Sequence, residues 1–322
     1  MSLQLSCYRT LENLYFSRYI FTLHALEEIR LPAYKGSTLR GLLGYGLKRL
    51  TCIFKNSKCE HCLFKLNCVY SRFMESPLPE DHPLKNKCKK APHPYVIIPP
   101  VQRKKVFSKG ATLSFGMIIV GKANESLPYV IYAISEMGKK GIGINRGKYE
   151  LRLVESEDKD KSKKIIYSIE DGNIRLKSYE ISFKDLLKNT PSCSKIRLTF
   201  ETPLRIKHKG KLIKSIPFEV LIHRLAERAF LLANIYCSSE LTDFSGLLEG
   251  ANNITLTSER VIWIDWIRYS TRQKTNMKLG GIVGEIIYSG DLTKFVPLLK
   301  LGEYIHVGKA TTFGLGKYRL EL

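Results

Sequence analysis

The amino-acid sequence predicts an α+β protein built from two tandem ferredoxin-like domains, with a cysteine-rich insertion in the first. Three observations lead there. At 322 residues the chain is long enough for two hydrophobic cores. Its hydrophobic periodicity runs strand, helix, strands, helix, strand twice over, the order of an antiparallel sheet with helices on one face. That periodicity is lost only over residues 52–94, which hold five of the eight cysteines. No short repeat recurs, which excludes a solenoid.

The first half opens on Tyr15–His24, rich in aromatic and β-branched residues and read as a strand. Pro32 and Gly36 interrupt it before the amphipathic stretch Ser37–Leu50, a helix. After the insertion, strands are expected at Tyr95–Ile98 and Thr112–Val120, then a helix at Pro128–Met137 with its proline in the first turn. Tyr149–Val154 reads as a strand and Glu155–Lys164 as an exposed turn. Asp171-Gly172 signals a hairpin between 164–170 and 173–180.

Pro191 and Ser192 place a domain boundary, giving 1–190 and 191–322. Lys195–Glu201 begins the second domain as a strand, and a short hairpin follows around Gly210. From Pro217 to Tyr236, Phe218, Leu221, Ile222, Leu225, Ala229, Leu232 and Tyr236 fall on one helical face, with His223, Arg224, Glu227 and Arg228 on the other. Strands are expected within 254–257, 261–269 and 283–288, a helix at Leu292–Leu301, and a closing hairpin to Leu320.

Lysine and arginine total 52 against 30 acidic residues, a net charge of +22. Such an excess calls for a polyanion, and nucleic acid is the leading partner. An anionic membrane is the other option, but no apolar run of about 18 residues and no signal-peptide pattern is present. The expectation is a soluble, cytoplasmic protein. Neither Gly36–Leu42 nor Gly141–Gly147 has the spacing of a phosphate-binding or dinucleotide loop, so no ATP or NAD is expected.

Two motifs stand out. HVGKATTFGLGKY, from His306 to Tyr318, carries Gly308, Gly314 and Gly316, whose missing side chains let a phosphate backbone approach, beside Lys309 and Lys317. A hairpin with glycines at its bulges explains the same pattern without RNA. Cys52, Cys59, Cys62 and Cys68 follow C-x6-C-x2-C-x5-C, a spacing able to close a structural zinc site or to hold an iron–sulfur cluster. Free cysteines are the bland alternative. Arg268, Arg272 and Lys274 form a basic run near Trp263, Trp266 and Tyr269 that suits stacked single-stranded RNA.

The glycine-rich tail, together with MKLGGIVGEIIY (277–288), RYSTRQ (268–273) and TPLRIK (202–207), resembles the C-terminal domain of CRISPR-associated RAMP endoribonucleases that process precursor CRISPR RNA, here in a cysteine-containing form. YKGSTLRG (34–41) resembles the strand-to-helix segment of RAMP proteins, and MGKKGIGINRG (137–147) the end of their first domain. The resemblance implies two RRM-like domains, RNA held by basic surfaces and the glycine-rich loop, and cleavage without a catalytic metal. It also implies a CRISPR effector complex as a further partner, with the chain a monomer or a homodimer.

Family members often keep a histidine in or near the first helix, and residues 34–50 contain none. They offer Tyr34, Lys35, Arg40 and Lys48 instead. His306, two residues before Gly308 and beside Lys309, is the first candidate proton carrier, because histidine exchanges protons near neutral pH. Tyr34 and Lys35 form the second pair, with Lys309 as a cation for the phosphate; Arg40, Lys48 and Lys317 join the RNA contacts. The rival reading is a non-catalytic RAMP subunit that binds guide RNA. A zinc-dependent regulator of duplex DNA would need a recognition helix, which 217–236 offers only weakly.

Overall fold

The structure is a computed structural model. It describes residues 7–322 apart from 55–57, 87, 89, 101, 189, 238–243, 266 and 271–274, and for 267–270 and 275–278 it describes the backbone alone. Two compact units result. One comprises Tyr15–Ile181 with Ile235–Cys237, and the other comprises Met1–Leu14, Ser182–Asn234 and Ser238–Leu322. The main division therefore falls near residue 181, ahead of the expected boundary at Pro191. The N-terminal segment joins the C-terminal unit, an exchange that composition does not announce.

In the N-terminal unit β1 (Tyr15–Ala25), α1 (Gly36–Thr51), β2 (Tyr95–Ile98), β3 (Thr112–Val120), α2 (Leu127–Gly138), β4 (Tyr149–Glu157) and β5 (Lys163–Ser168) follow in order. The sheet runs β2-β3-β1-β4-β5, and every pair is antiparallel. Alternation in β1 turns Tyr19, Phe21 and Leu23 inward, where they meet Leu39, Leu43 and Leu47 of α1 and Val130, Ile131 and Ile134 of α2 in one core. The expected turn at 155–164 is shorter than forecast: β4 continues to Glu157 and β5 pairs back from Lys163. The second arm of the expected Asp171-Gly172 hairpin makes one bridge, Tyr167 to Ile174, and no strand.

The C-terminal unit repeats this order with β6 (Lys195–Leu204), α3 (Phe218–Tyr236), β7 (Thr255–Ile264), β8 (Gly281–Ser289), α4 (Val296–Ile305) and β9 (Tyr318–Glu321). Its sheet runs β7-β8-β6-β9, again antiparallel. The forecast apolar face of α3 is buried from Phe218 to Tyr236, as helical periodicity requires. No closing hairpin forms: β9 pairs with β6, and the glycine-rich segment is the connection from α4 to β9. The expected strand 261–269 is broken, and Ile267–Ser270 pairs with Thr275–Lys278 as a separate ribbon.

Candidate nucleic-acid interface

The glycine-rich segment begins where α4 stops. His306 caps α4 at φ 57° and ψ 168°, a region populated almost only by glycine. Positive φ recurs at Gly308, Ala310, Gly314 and Gly316, so the chain turns through left-handed backbone at almost every second residue. A Cβ at Gly316 would strike the Val307 carbonyl, and one at Gly308 would stand 2.6 Å from the Arg205 carbonyl oxygen. These glycines serve close packing of the protein's own backbone. Their amides are partly committed as well: Gly314 N–H donates to Thr311 O (2.8 Å), Gly316 N–H to Pro203 O (3.1 Å) and Lys317 N–H to Thr202 Oγ1 (2.9 Å). Gly314 and Gly316 are buried, which corrects the expectation that they lie against a phosphate. Gly308 is half-buried at the edge of the segment.

His306 does not face solvent. Its side chain is 0% exposed; Nδ1 lies 3.2 Å from Leu315 O, and Nε2 has no hydrogen-bond partner among the described residues. Burial lowers its pKa to about 3, with the charges of Lys317 and Arg228 adding to the effect and the Leu315 carbonyl opposing it. A neutral imidazole sealed in the core exchanges no proton with RNA at neutral pH, so the expected role of His306 as proton carrier is corrected. Placement beside Lys309 in sequence suggested a surface, but α4 ends inward.

What the segment presents outward is a basic hairpin. Lys309 N–H donates to Arg205 O (2.9 Å) and so ties the segment to the ribbon Lys207–His208/Lys211–Leu212. Lys209 and Gly210 form the two-residue turn, both at positive φ, as a tight hairpin requires. From α3, Arg224 Nη2 donates to Lys207 O (3.2 Å) and Nη1 pairs with Glu227 (2.9 Å). Lys207, His208, Lys209, Lys211, Lys214 and Lys309 are all exposed, and among the described residues none of these lysines is in an ion pair. Lys317, by contrast, is neutralised by Glu201 at 2.7 Å. Sequence reasoning placed a hairpin around Gly210 but set its lysines and His208 aside, because such residues in a short ribbon look like any solvated surface.

In the N-terminal unit the second candidate pair also turns inward. Lys35 is 1% exposed, and its ammonium donates to Gln102 O (2.8 Å) and Ala33 O (3.2 Å); burial lowers its pKa. Burial likewise raises the pKa of the half-buried Tyr34 hydroxyl far from neutrality. Lys35 is thereby corrected from a catalytic candidate to a clasp that holds the loop carrying exposed Arg103, Lys104 and Lys105. Arg40 is half-buried and bonds the hydroxyl of buried Tyr95, where it opposes the upward shift that burial imposes on the phenol. Lys48 sits 5.8 Å from the ring of Tyr70. Arg268 lies on the ribbon strand Ile267–Ser270, while Arg272 and Lys274 lie outside the described residues.

All four cysteines of the spaced motif line one cavity of about 370 Å³. No three cysteine, histidine, aspartate or glutamate side chains among the described residues come close enough to share one metal ion.

Comparison with known proteins now bears on this frame. Residues 198–318, which span the sheet, α3, the basic hairpin and the glycine-rich segment, match the family model of the CRISPR-associated endoribonuclease Cas6. Residues 14–179 match a second model, described as the N-terminal domain of the AF_1859 type. The chain thus carries an N-terminal domain of the AF_1859 type over just over half of its length, and its C-terminal part is similar to the CRISPR-associated endoribonuclease Cas6. Among solved structures, a Cas6 product complex superposes with a TM-score of 0.58 at 13% identity, covering 95% of this chain and 100% of that one. Thermus thermophilus Cas6 gives 0.53 at 12%, covering 96% and 99%. A partial Cas6-RT-Cas1–Cas2 complex gives 0.57 at 16%, covering 96% of this chain but 46% of that chain, so this chain spans about half its length. At these identities the likeness establishes the fold. No curated protein matches the sequence. Among the described residues, no helix is long and apolar enough to cross a membrane.

Proposed function

We propose that the chain is an endoribonuclease that cuts precursor CRISPR RNA once within each repeat, and that its two units are ferredoxin-like, RRM-like domains. The single observation that carries this is the coincidence of the Cas6 family match with an unpaired basic hairpin seated on the glycine-rich segment. In the proposed step the ribose 2′-oxygen attacks the adjacent phosphorus as its proton passes to a base. The bond from phosphorus to the 5′-oxygen breaks as an acid protonates that oxygen. Products are a 2′,3′-cyclic phosphate and a 5′-hydroxyl, and the step needs proton carriers and cations but no metal ion.

Lys207, Lys209, Lys211 and Lys309 supply the cations that hold the phosphates. Arg268, Arg272 and Lys274 are further proposed RNA contacts, on the strength of the basic run they form in the sequence. With His306 in the core, His208 takes over as candidate proton carrier, because it is exposed between two lysines on the same hairpin. Burial of His306 also favours a second reading, a RAMP subunit that binds guide RNA without cutting it, within a CRISPR effector complex. One experiment separates them: incubate repeat RNA with the protein in excess chelator and map the product ends. Site-specific cutting to a cyclic phosphate, lowered about 100-fold or more by His208→Ala with RNA binding retained, supports the enzyme. Tight binding without cutting by the wild type supports the subunit.

A further inference from the structure

We propose that the outer face of the helix layer in the N-terminal unit is a docking surface for an acidic amphipathic helix of another protein. Leu39, Leu43 and Leu47 of α1 and Val130, Ile131 and Ile134 of α2 are turned into the core. Helical periodicity then assigns the opposite faces to water, where charged and polar residues belong. Aromatic side chains stand there instead: Tyr45 is 70% exposed on α1, and Tyr129 and Tyr132 are exposed one turn apart on α2. The end of α1 and the segment after it add Leu50, Ile53, Phe54, Leu63, Phe64 and Leu66, all exposed, with Ile53 at 71% and Leu63 at 92%. Leu50, Ile53, Phe54, Phe64 and Tyr129 line one cavity of about 370 Å³, so both helices and the segment share one apolar recess. An exposed apolar patch of this kind, edged by charge, marks a surface that another molecule covers.

Charge and side-chain shape select the occupant. Residues 41–70 carry five lysines and arginines against one glutamate. Arg49 and Lys58 are exposed and Lys65 is on the cavity wall, and among the described residues none of the three is in an ion pair. A second copy of the chain would set these cations against their own kind, which disfavours pairing. RNA has the right charge, but a single strand is held by bases stacked on aromatic faces. Here the most exposed side chains, Leu63 and Ile53, are aliphatic, and Phe54 and Phe64 stack on each other, with ring centroids 6.0 Å apart and planes at 21°. A helix whose apolar residues recur every three or four positions fills such a recess, and carboxylates beside that stripe meet Arg49, Lys58 and Lys65. The surface uses no residue of the cleavage step, so this inference stands apart from the proposed activity.

The test pans a displayed library of random peptides, long enough to form a helix, on the full chain. Enrichment of net-acidic sequences with apolar residues at helical spacing is the expected result. A synthetic peptide of the most enriched sequence should bind the wild type and bind Ile53→Ser/Leu63→Ser at least about tenfold more weakly. Both positions are exposed, so this double variant keeps its fold, which circular dichroism checks, and it should bind and cut repeat RNA as the wild type does. Reversing charge in Arg49→Glu/Lys58→Glu should weaken the same peptide by a similar factor. No enrichment, enriched peptides that lack acidic charge or apolar spacing, or an affinity unchanged in either variant would overturn the inference. Weaker repeat-RNA binding by Ile53→Ser/Leu63→Ser would also overturn it, in favour of RNA on this surface. A wild-type dimer that the same variant dissociates would overturn it in favour of a second copy.

Discussion

The glycine-rich segment and the cysteine-rich segment look alike as sequence motifs, each a short run of unusual residues between regular elements, yet the structure treats them in opposite ways. Between His306 and Tyr318 the chain is packed into its own domain. Buried glycines meet neighbouring carbonyls, a histidine is sealed in the core, and the exposed lysines lie on a hairpin far away in sequence. Between Cys52 and Cys68 no described residue is buried, and the four cysteines line a shared space. The difference teaches that residue type sets what a motif can do, whereas the partners already taken inside the protein decide what is left for a ligand.

The largest expected effect breaks or upholds this contrast directly. Gly316→Ala must add a methyl against the Val307 carbonyl at a φ of 71°, and we expect a stability loss of about 3 kcal/mol. Leu63→Ala in the cysteine segment should change stability by less than about 0.5 kcal/mol. Equal losses in denaturant titrations would erase the distinction between a packed and an open segment.

Next in size is the outward hairpin. Replacing Lys207, Lys209 and Lys211 by alanine removes three charges, which should lower the log–log salt slope of RNA binding by about 2, taking 0.7 per phosphate contact on a single strand. Filter binding across a salt series measures it, with a triple alanine variant of Arg103, Lys104 and Lys105 for comparison. If that variant alone flattens the slope, the RNA contact lies on the N-terminal unit and the assignment to the hairpin fails.

His306 tests the inward half of the contrast through pH. Its folded pKa of about 3 lies below the ordinary value of 6.5, so the unfolded chain takes up the proton first as pH falls. Its contribution is fully present above about 6.5 and is lost progressively towards about 3, at roughly 1.4 kcal/mol per pH unit. His306→Asn, which tolerates positive φ, should remove that part of the slope in urea titrations at pH 7, 6 and 5. An unchanged slope would mean that the imidazole is not sealed. Smallest is Lys35→Met, which withdraws the donors to Ala33 O and Gln102 O and should cost about 1 kcal/mol. A large loss of RNA binding without loss of stability would instead return Lys35 to the interface.

Much of the architecture was legible in the residues. The strand over Tyr15–His24 was read from its residue types and forms as expected, and the apolar face of α3 from Phe218 to Tyr236 was read from helical periodicity and is buried as forecast. The site was less legible. His306, Lys35, Gly314 and Gly316 were chosen for chemistry that their side chains or amides can perform, and each proved committed to the interior. The hairpin at His208 was undervalued because nothing local distinguishes an exposed lysine with a role from one without.

By itself the sequence determined the order of strands and helices, the basic character of the surface and the placement of four thiols within 17 residues, because periodicity, charge and short spacing are local properties. Only the tertiary structure decided that α4 ends inward and buries His306, that Lys35 clasps a loop, and that Lys309 ties the glycine-rich segment to a basic hairpin some hundred residues earlier. Those outcomes depend on which carbonyl or cavity a distant element brings alongside, and burial against such neighbours sets whether a titratable group meets solvent or the core.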